Sequence, residues 1–409
     1  MNPYRPVLRH PTLRLVALAL LLVGAHNASL YPYQSLIAIE RIGLSKPAFS
    51  ALLVLASAVA VTSSVLFGIM GDHTGARRRI ALITALSSTL GVTLMLVWPS
   101  TLSLILCQGI LLPLAWSLYG QLFALARLAS AAEGRTRDAI LGAIRAPMSL
   151  AFLTMLLFWT FAFAAGIDVM AVYISGGLAS LGLSALVFFG WPRDRRAPLH
   201  DAGPRISLKD TFRAISSLHI IVRLCLIGAL CSAGSIYFVL VSLVFEASPI
   251  RGPSDVALYV GLVAGWEVPA MLFLARFSHL LPRSTMIALG ALIYTTHLIA
   301  LPYLSDSPWL WLMPVFGGIG GAVLLLLPIP YYQDLLQGRP GTAAAMLALQ
   351  KLVTDVLTAA IFAFGTAIGG FETVAILGTL VAIAGALGLY LVDHNSWFPA
   401  RLAPAPAQG

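Results

Sequence analysis

Charge is the scarcest property of this sequence. Only 10% of its 409 residues are Asp, Glu, Lys or Arg, whereas 59% are hydrophobic. Soluble domains carry about 25% charged residues, so a soluble globular chain is excluded. Cysteine is scarcer still. Cys107, Cys225 and Cys231 all fall in apolar segments, without Cys-x-x-Cys or metal-ligand spacing. They read as small core side chains, and neither a disulfide framework nor a metal site is expected. No Gly-rich phosphate loop ending in Lys is present, which argues against ATP as an energy source. No nucleophile–base constellation stands out, so neither catalytic residues nor a cofactor is expected and the chain does not read as an enzyme.

Long apolar runs fill the chain almost end to end. A spanning helix needs about 20 mostly apolar residues. Lipid leaves helices and closed barrels as the only options, and these runs are too long and too unalternating for barrel strands. The fold class expected is therefore an all-α membrane protein. Twelve spans can be placed, at about 14–38, 47–71, 79–98, 102–127, 138–165, 168–191, 218–245, 256–279, 284–303, 308–330, 341–366 and 372–393. The basic, then apolar N-terminus imitates a signal peptide. Its apolar character runs on to Ile39, so it reads as an uncleaved first helix.

The longest polar stretch, WPRDRRAPLHDAGPRISLKDTFR, separates six spans from six. This predicts an N-terminal six-helix bundle at 1–192, a cytoplasmic linker at 193–217, a second six-helix bundle at 218–395 and a cytoplasmic tail at 396–409. With the N-terminus inside, 19 of the 25 Lys and Arg fall on the cytoplasmic side and 3 on the outer side. Arg145, Arg223 and Lys351 lie in or at the ends of spans. The asymmetry predicts that both termini are cytoplasmic. The net charge of +9 thus has a topological origin, and nucleic acid is not needed as a partner.

The second span ends in GIMGDHTGARRR, Gly68 to Arg79. Glycines permit a tight reversal. Asp72 suits the positive end of a neighbouring helix, and the arginines stay at the inner surface. The stretch resembles the signature loop between helices two and three of the major facilitator superfamily. Gly68, Asp72 and Gly75 match; Ala76 replaces the first usual basic residue, and Arg77 and Arg78 supply the rest. The resemblance implies conformational gating by Gly68, Asp72, Gly75, Arg77 and Arg78. QLFALAR (Gln121 to Arg127), RAPMSLA (Arg145 to Ala151) and PIPYYQDLLQGRPG (Pro328 to Gly341) then look like the bacterial sugar efflux transporters, from the first span to the last. That resemblance implies export of sugars or glycosides across the inner membrane, driven by protons. The sequence also departs from the pattern. Its fifth helix has no Gly-Pro, its fourth has no mid-span arginine, and its eleventh carries Lys351 and Asp355. The second-half counterpart of the signature loop, ARFSHLLPRS, has lost its acid and glycine.

An ionisable group at the bilayer centre costs about 2.5–3.5 kcal/mol or more and normally faces a bundle interior or cavity. Glu267, followed by Pro269, is a candidate for binding a hydroxyl or a proton. Arg145 sits two turns into helix five, where it can meet a substrate or reach the inner surface. Arg223, nearer a helix end, reads as snorkelling to the interface. Lys351 and Asp355 share a helical face; they either neutralise each other or line a cavity in which substrate or a proton competes. Helix one offers His26, Asn27, Tyr31, Tyr33 and Gln34, with Asn27 and Gln34 on one face and Pro32 breaking the helix. Helix four offers Trp116, Tyr119 and Gln121. Sugar sites combine such amides and carboxylates with aromatic faces. Pro328 and Pro330 are expected to end helix ten.

The expected function is secondary active export of a sugar or glycoside by alternating access, as an antiporter. Asn27, Gln34, Trp116, Tyr119, Gln121, Arg145, Glu267 and Lys351 would bind substrate, and Glu267 and Asp355 would carry the proton. The partners expected are the small molecule, protons and the lipid bilayer, with a monomeric protein in the bacterial inner membrane. The alternatives are an exporter of drugs or other small molecules and a non-transporting receptor or scaffold on the same fold.

Overall fold

A computed structural model describes residues 4–130, 137–192, 217–277, 281–336 and 340–394. The tail expected at 396–409 lies outside the described residues, as does the linker expected at 193–217 apart from Ser217. All regular structure among the described residues is helical. Without water, each backbone donor must find its acceptor within the chain, and the helix does this locally. Among the described residues, twelve helices are long and apolar enough to cross a membrane. They are α1 (Pro11–Arg41), α2 (Lys46–Thr74), α3 (Arg77–Val97), α4 (Thr101–Ala129), α5 (Arg137–Ala164), α6 (Val169–Gly190), α7 (Leu218–Glu246), α8 (Pro253–Phe277), α9 (Arg283–Tyr303), α10 (Pro308–Leu335), α11 (Pro340–Ile368) and α12 (Gly370–His394). Each expected span has one counterpart, with ends differing by a few residues.

The chain divides into two compact units. One comprises Met1–Asp201 with Gly252–Leu258, the other Ala202–Arg251 with Tyr259–Gly409. In the first unit, α1 is the central element and packs along α5 and α6. Its core gathers Val16, Ala19 and Leu20 of α1 with Ala85, Leu122, Ile144 and Val187. Between helices in lipid, close van der Waals packing replaces the hydrophobic effect as the main attraction. Gly24 shows how close: a Cβ there would lie 2.2 Å from the Met148 carbonyl oxygen of α5.

Neither α1 nor α4 is a uniform α-helix. Pro32 does not break α1 as the sequence suggested. The chain tightens to a 3₁₀ turn over Tyr31–Tyr33 and then widens to a π-helical stretch over Ile37–Arg41. There the Ile42 N–H donates to the Ile37 carbonyl, five residues back, at 2.9 Å. A second π-helical stretch occupies Ile105–Leu111 in α4.

In the second unit, α7 packs along α12 and α11, while α9 packs along α10 and α12. Ile227, Leu230, Ile287, Ala291, Tyr332 and Leu389 belong to its core. Arg223 overturns its snorkelling assignment. Its side chain is 0% exposed, and its Nε donates to Asp393 Oδ1 of α12 at 2.8 Å. Its Nη1 donates to the His219 carbonyl at 3.0 Å. Tyr331 of α10 donates its hydroxyl to the same carboxylate at 3.0 Å. The partner lies 170 residues away in sequence, so position relative to the helix end was the wrong guide. At Pro328 α10 does break, as expected: its first part ends at Leu326, and after Leu327 a separate stretch of about two turns runs over Pro328–Leu335. The PIPYYQD segment is held there by Tyr331–Asp393 and by an Asp334–Arg283 ion pair.

The Gly24 contact gives a paired expectation. Gly24→Ala should destabilise the protein by about 1–3 kcal/mol, the usual range for overpacking. Gly68→Ala, whose added Cβ meets nothing within 4 Å, should be close to neutral or slightly stabilising. Thermal unfolding of the two purified variants in detergent checks the difference.

Candidate functional site

Packing of α1 against α3, α4, α5 and α6 leaves a cavity of about 340 Å³ inside the first unit. Its polar lining comes from His26, Asn27, Gln34, Thr84, Ser88 and Arg145; Tyr31, Trp116 and Tyr119 add aromatic surface. Asn27 and Gln34 are seven residues apart, close to two helical turns, so one face of α1 presents both amides. Trp116 and Tyr119 are three apart and share a face of α4 for the same reason. The Tyr31 and Trp116 rings lie 6.5 Å apart at 55°. Arg145 enters from α5, one turn before the Met148 carbonyl that meets Gly24.

Hydrogen bonds hold the α1 side of this cavity in place. His26 Nδ1 lies 3.0 Å from the Gly176 carbonyl of α6. A carbonyl only accepts, so Nδ1 carries the hydrogen; in the neutral ring, Nε2 remains an acceptor, 3.4 Å from Ser88 Oγ. Just beyond, the Trp159 indole donates to Ser29 Oγ at 3.2 Å, and Ser175 Oγ donates to the same hydroxyl at 2.9 Å. α1, α3, α5 and α6 are thereby tied together around the lining.

The structure brings together five of the residues expected to bind substrate: Asn27, Gln34, Trp116, Tyr119 and Arg145. Gln121 is not one of them and that assignment is corrected. Two residues beyond Tyr119 lies about 200° around the helix. Gln121 is 6% exposed and donates Nε2–H to the Phe67 carbonyl of α2 at 3.3 Å, so it joins helices. Tyr33 is buried edge-on against Phe163, ring centroids 5.3 Å apart. The sequence reading passed over Thr84 and Ser88, whose only signal is a run of small hydroxyls in α3. It weighed His26 without selecting it; a histidine one residue from Asn27 was the available hint.

At the signature loop, Gly75 has φ +67° and ends α2, its N–H donating to the Gly71 carbonyl at 3.2 Å. This left-handed conformation favours glycine. Arg78 donates Nη2–H to the Phe188 carbonyl of α6 at 2.7 Å, and Arg77 opens α3. Gly68 lies within α2, with open space at its Cβ position. The Asp72 side chain lies outside the described residues.

Glu267, Lys351 and Asp355 belong to the second unit. Glu267 is half-buried on α8. A Cβ at Gly321 of α10 would lie 2.7 Å from its Oε1, so the carboxylate reaches up to this glycine. Pro269 leaves the Gly265 carbonyl without its helical donor. Deeper in the same unit, His297 is fully buried. Its Nδ1 lies 3.2 Å from the Tyr259 hydroxyl, and its ring stacks on Tyr259 at 13°. Lys351 Nζ donates to both Asp355 carboxylate oxygens, at 2.9 and 2.8 Å. Of the two alternatives, the mutually neutralised pair is thus the arrangement seen. On α11 the pair lies about 180° from Val353 and about 80° from Thr354, both of which pack on Gly228 of α7.

Lys351 is 39% exposed and Asp355 15%, so the pair ranks between a surface and a buried bridge. Asp355→Asn should cost about 1–2 kcal/mol by removing the carboxylate that pairs with the Lys351 ammonium. Adding Lys351→Met should restore most of the loss. Thermal unfolding of both single variants and the double variant, taken as a cycle, measures the coupling.

Comparison with known proteins agrees with this architecture. The chain is 25% identical over 382 residues to a Deinococcus radiodurans protein named "Putative sugar efflux transporter", covering 90% of this chain and 95% of that one. Among solved structures, a variant of the nucleoside transporter NupG superposes with a TM-score of 0.77 at 13% identity, covering 93% of this chain and 99% of that chain. A D-xylose–proton symporter superposes with a TM-score of 0.69 at 14% identity, covering 92% and 96%. At such identities the structural matches speak for the fold alone. The sequence model of the Major Facilitator Superfamily matches residues 16–360, from the first span into the eleventh, and the chain therefore belongs to that superfamily of membrane transporters.

Proposed function

We propose that the chain exports a sugar or glycoside across the bacterial inner membrane by alternating access, with both termini cytoplasmic and protons as the coupling ion. The observation that carries this reading is the lining of the first unit's cavity. Two amides, two hydroxyls, an imidazole and a guanidinium share it with three aromatic rings. A hydroxylated ring needs both kinds of surface: polar groups for its edge and apolar faces for its C–H side. The name of the Deinococcus relative supports the same substrate class.

In this reading Asn27, Gln34, Trp116 and Tyr119 bind substrate directly. Gly68, Asp72, Gly75, Arg77 and Arg78 form the gating loop, and the two bundles, 1–192 and 218–395, move as the rocking bodies. Glu267 is the proton carrier. It is a half-buried carboxyl in a membrane-spanning segment, where gaining or losing a proton changes a charge that lipid does not solvate. Asp355, already neutralised by Lys351, is the weaker carrier, and Lys351 binds substrate only by leaving it.

Counterflow in proteoliposomes tests the proposal. Preloaded vesicles should exchange at least one member of a panel of monosaccharides, disaccharides and phenyl glycosides. Asn27→Ala and Gln34→Ala should each slow that exchange roughly 3–10-fold, the effect of one lost hydrogen bond of about 1 kcal/mol. Absence of exchange for every sugar, with and without a pH gradient, would reject the sugar assignment. Glu267→Gln should abolish accumulation driven by a pH gradient while leaving counterflow intact. If gradient-driven transport survives in Glu267→Gln, the carrier lies elsewhere.

A further inference from the structure

Three cations lie away from the helix ends in the described spans, and their surroundings differ. Arg223 and Lys351 each have a carboxylate oxygen within 2.8 Å. Arg145 makes no ion pair or hydrogen bond among the described residues, although it stands two turns into α5 and lines the cavity. No aspartate or glutamate contributes to that lining. The remaining polar groups are amides, hydroxyls and an imidazole already bonded to Gly176. Among the described residues, the cavity thus holds a positive charge with no carboxylate beside it.

Arg145 is exposed and borders this space, so its guanidinium is open to a partner that enters from outside, whereas the other two cations are already matched by carboxylates of their own unit. The geometry points to a different partner for Arg145: we propose that the transported molecule itself carries an acidic group, which the Arg145 guanidinium neutralises while the rest of the molecule lies against Asn27, Gln34 and the aromatic rings. The guanidinium fork matches a carboxylate or phosphate with two parallel N–H···O bonds. One fork with no second cation in the lining suits a single negative charge, so a sugar acid fits better than a dianionic sugar phosphate. The inference rests on the assignment of this cavity as the substrate site and deepens it from sugar to acidic sugar.

Binding to the full-length protein in detergent, followed by calorimetry or by the fluorescence of Trp116 in the lining, provides the test. The probes are glucose, glucuronate and glucose 6-phosphate, with benzyl alcohol and benzoate as a matched pair lacking a sugar ring. Wild-type protein should bind glucuronate at least about tenfold more tightly than glucose, the equivalent of one charge-assisted hydrogen bond of about 1.4 kcal/mol. Arg145→Gln should bring that ratio to within about threefold, and Arg145→Lys should keep part of the preference. Unchanged unfolding midpoints show that both variants fold, as expected for a side chain that makes no ion pair or hydrogen bond among the described residues.

A preference for glucose 6-phosphate that depends on Arg145 supports the acidic group and identifies it as phosphate. A preference for benzoate over benzyl alcohol that depends on Arg145, with no sugar bound, also supports the acidic group but removes the sugar. Equal binding of acidic and neutral probes, a preference that survives Arg145→Gln, or failure of every probe to bind overturns the proposal.

Discussion

Everything in this molecule answers to one constraint: hydrocarbon offers no partner to a polar group. The backbone meets it by forming helices almost throughout. Side chains meet it over short and long distances. Lys351 finds Asp355 one turn away on its own helix, whereas Arg223 finds Asp393 across the unit and shares it with Tyr331. The second arrangement connects α7, α10 and α12 through a single carboxylate. Such a bridge need not add net stability, but it rewards only one mutual placement of three helices. Close packing acts to the same end. Gly24 against Met148 and Gly321 beside Glu267 let helices or side chains approach where any Cβ would intrude.

The two units use this constraint differently. In the first, hydroxyls, amides and one histidine tie helices together around a space that remains unfilled. In the second, the charges are matched and the aromatic residues around His297 are packed. Affinity in the first unit would come from a few placed groups on a rigid frame. In the second, half-buried Glu267 and the Lys351–Asp355 pair are the groups whose balance a proton can alter.

How legible this was from sequence varies with the distance over which each feature is decided. The twelve spans are set by local hydropathy and length, and all were readable. Asn27 with Gln34, and Trp116 with Tyr119, follow from helical periodicity and do share the cavity. Gln121 was misassigned because sequence closeness to Tyr119 was allowed to outweigh the 200° between them. Arg223 shows the opposite limit: its environment is made by Asp393, 170 residues away, and no local rule reports that. Lys351 and Asp355 were correctly seen as able to pair, but spacing alone could not decide whether they do. Pro328 was rightly read as a helix break, but at Pro32 the chain shifts its hydrogen bonding and keeps the rod continuous.

The π-helical stretch of α4, Ile105–Leu111, precedes Trp116 and Tyr119. A π turn holds one residue more than an α turn, and each residue rotates the chain by about 100°. The widened turn therefore sets the azimuth of everything that follows it. With a plain α-helix over the same stretch, both aromatic side chains would point roughly a quarter-turn away from the α1 face that carries Asn27 and Gln34. One surplus residue, lodged a full turn before the first aromatic, acts as the aiming device of the cavity wall. The site is specified partly by a count of residues at a place where no side chain touches it.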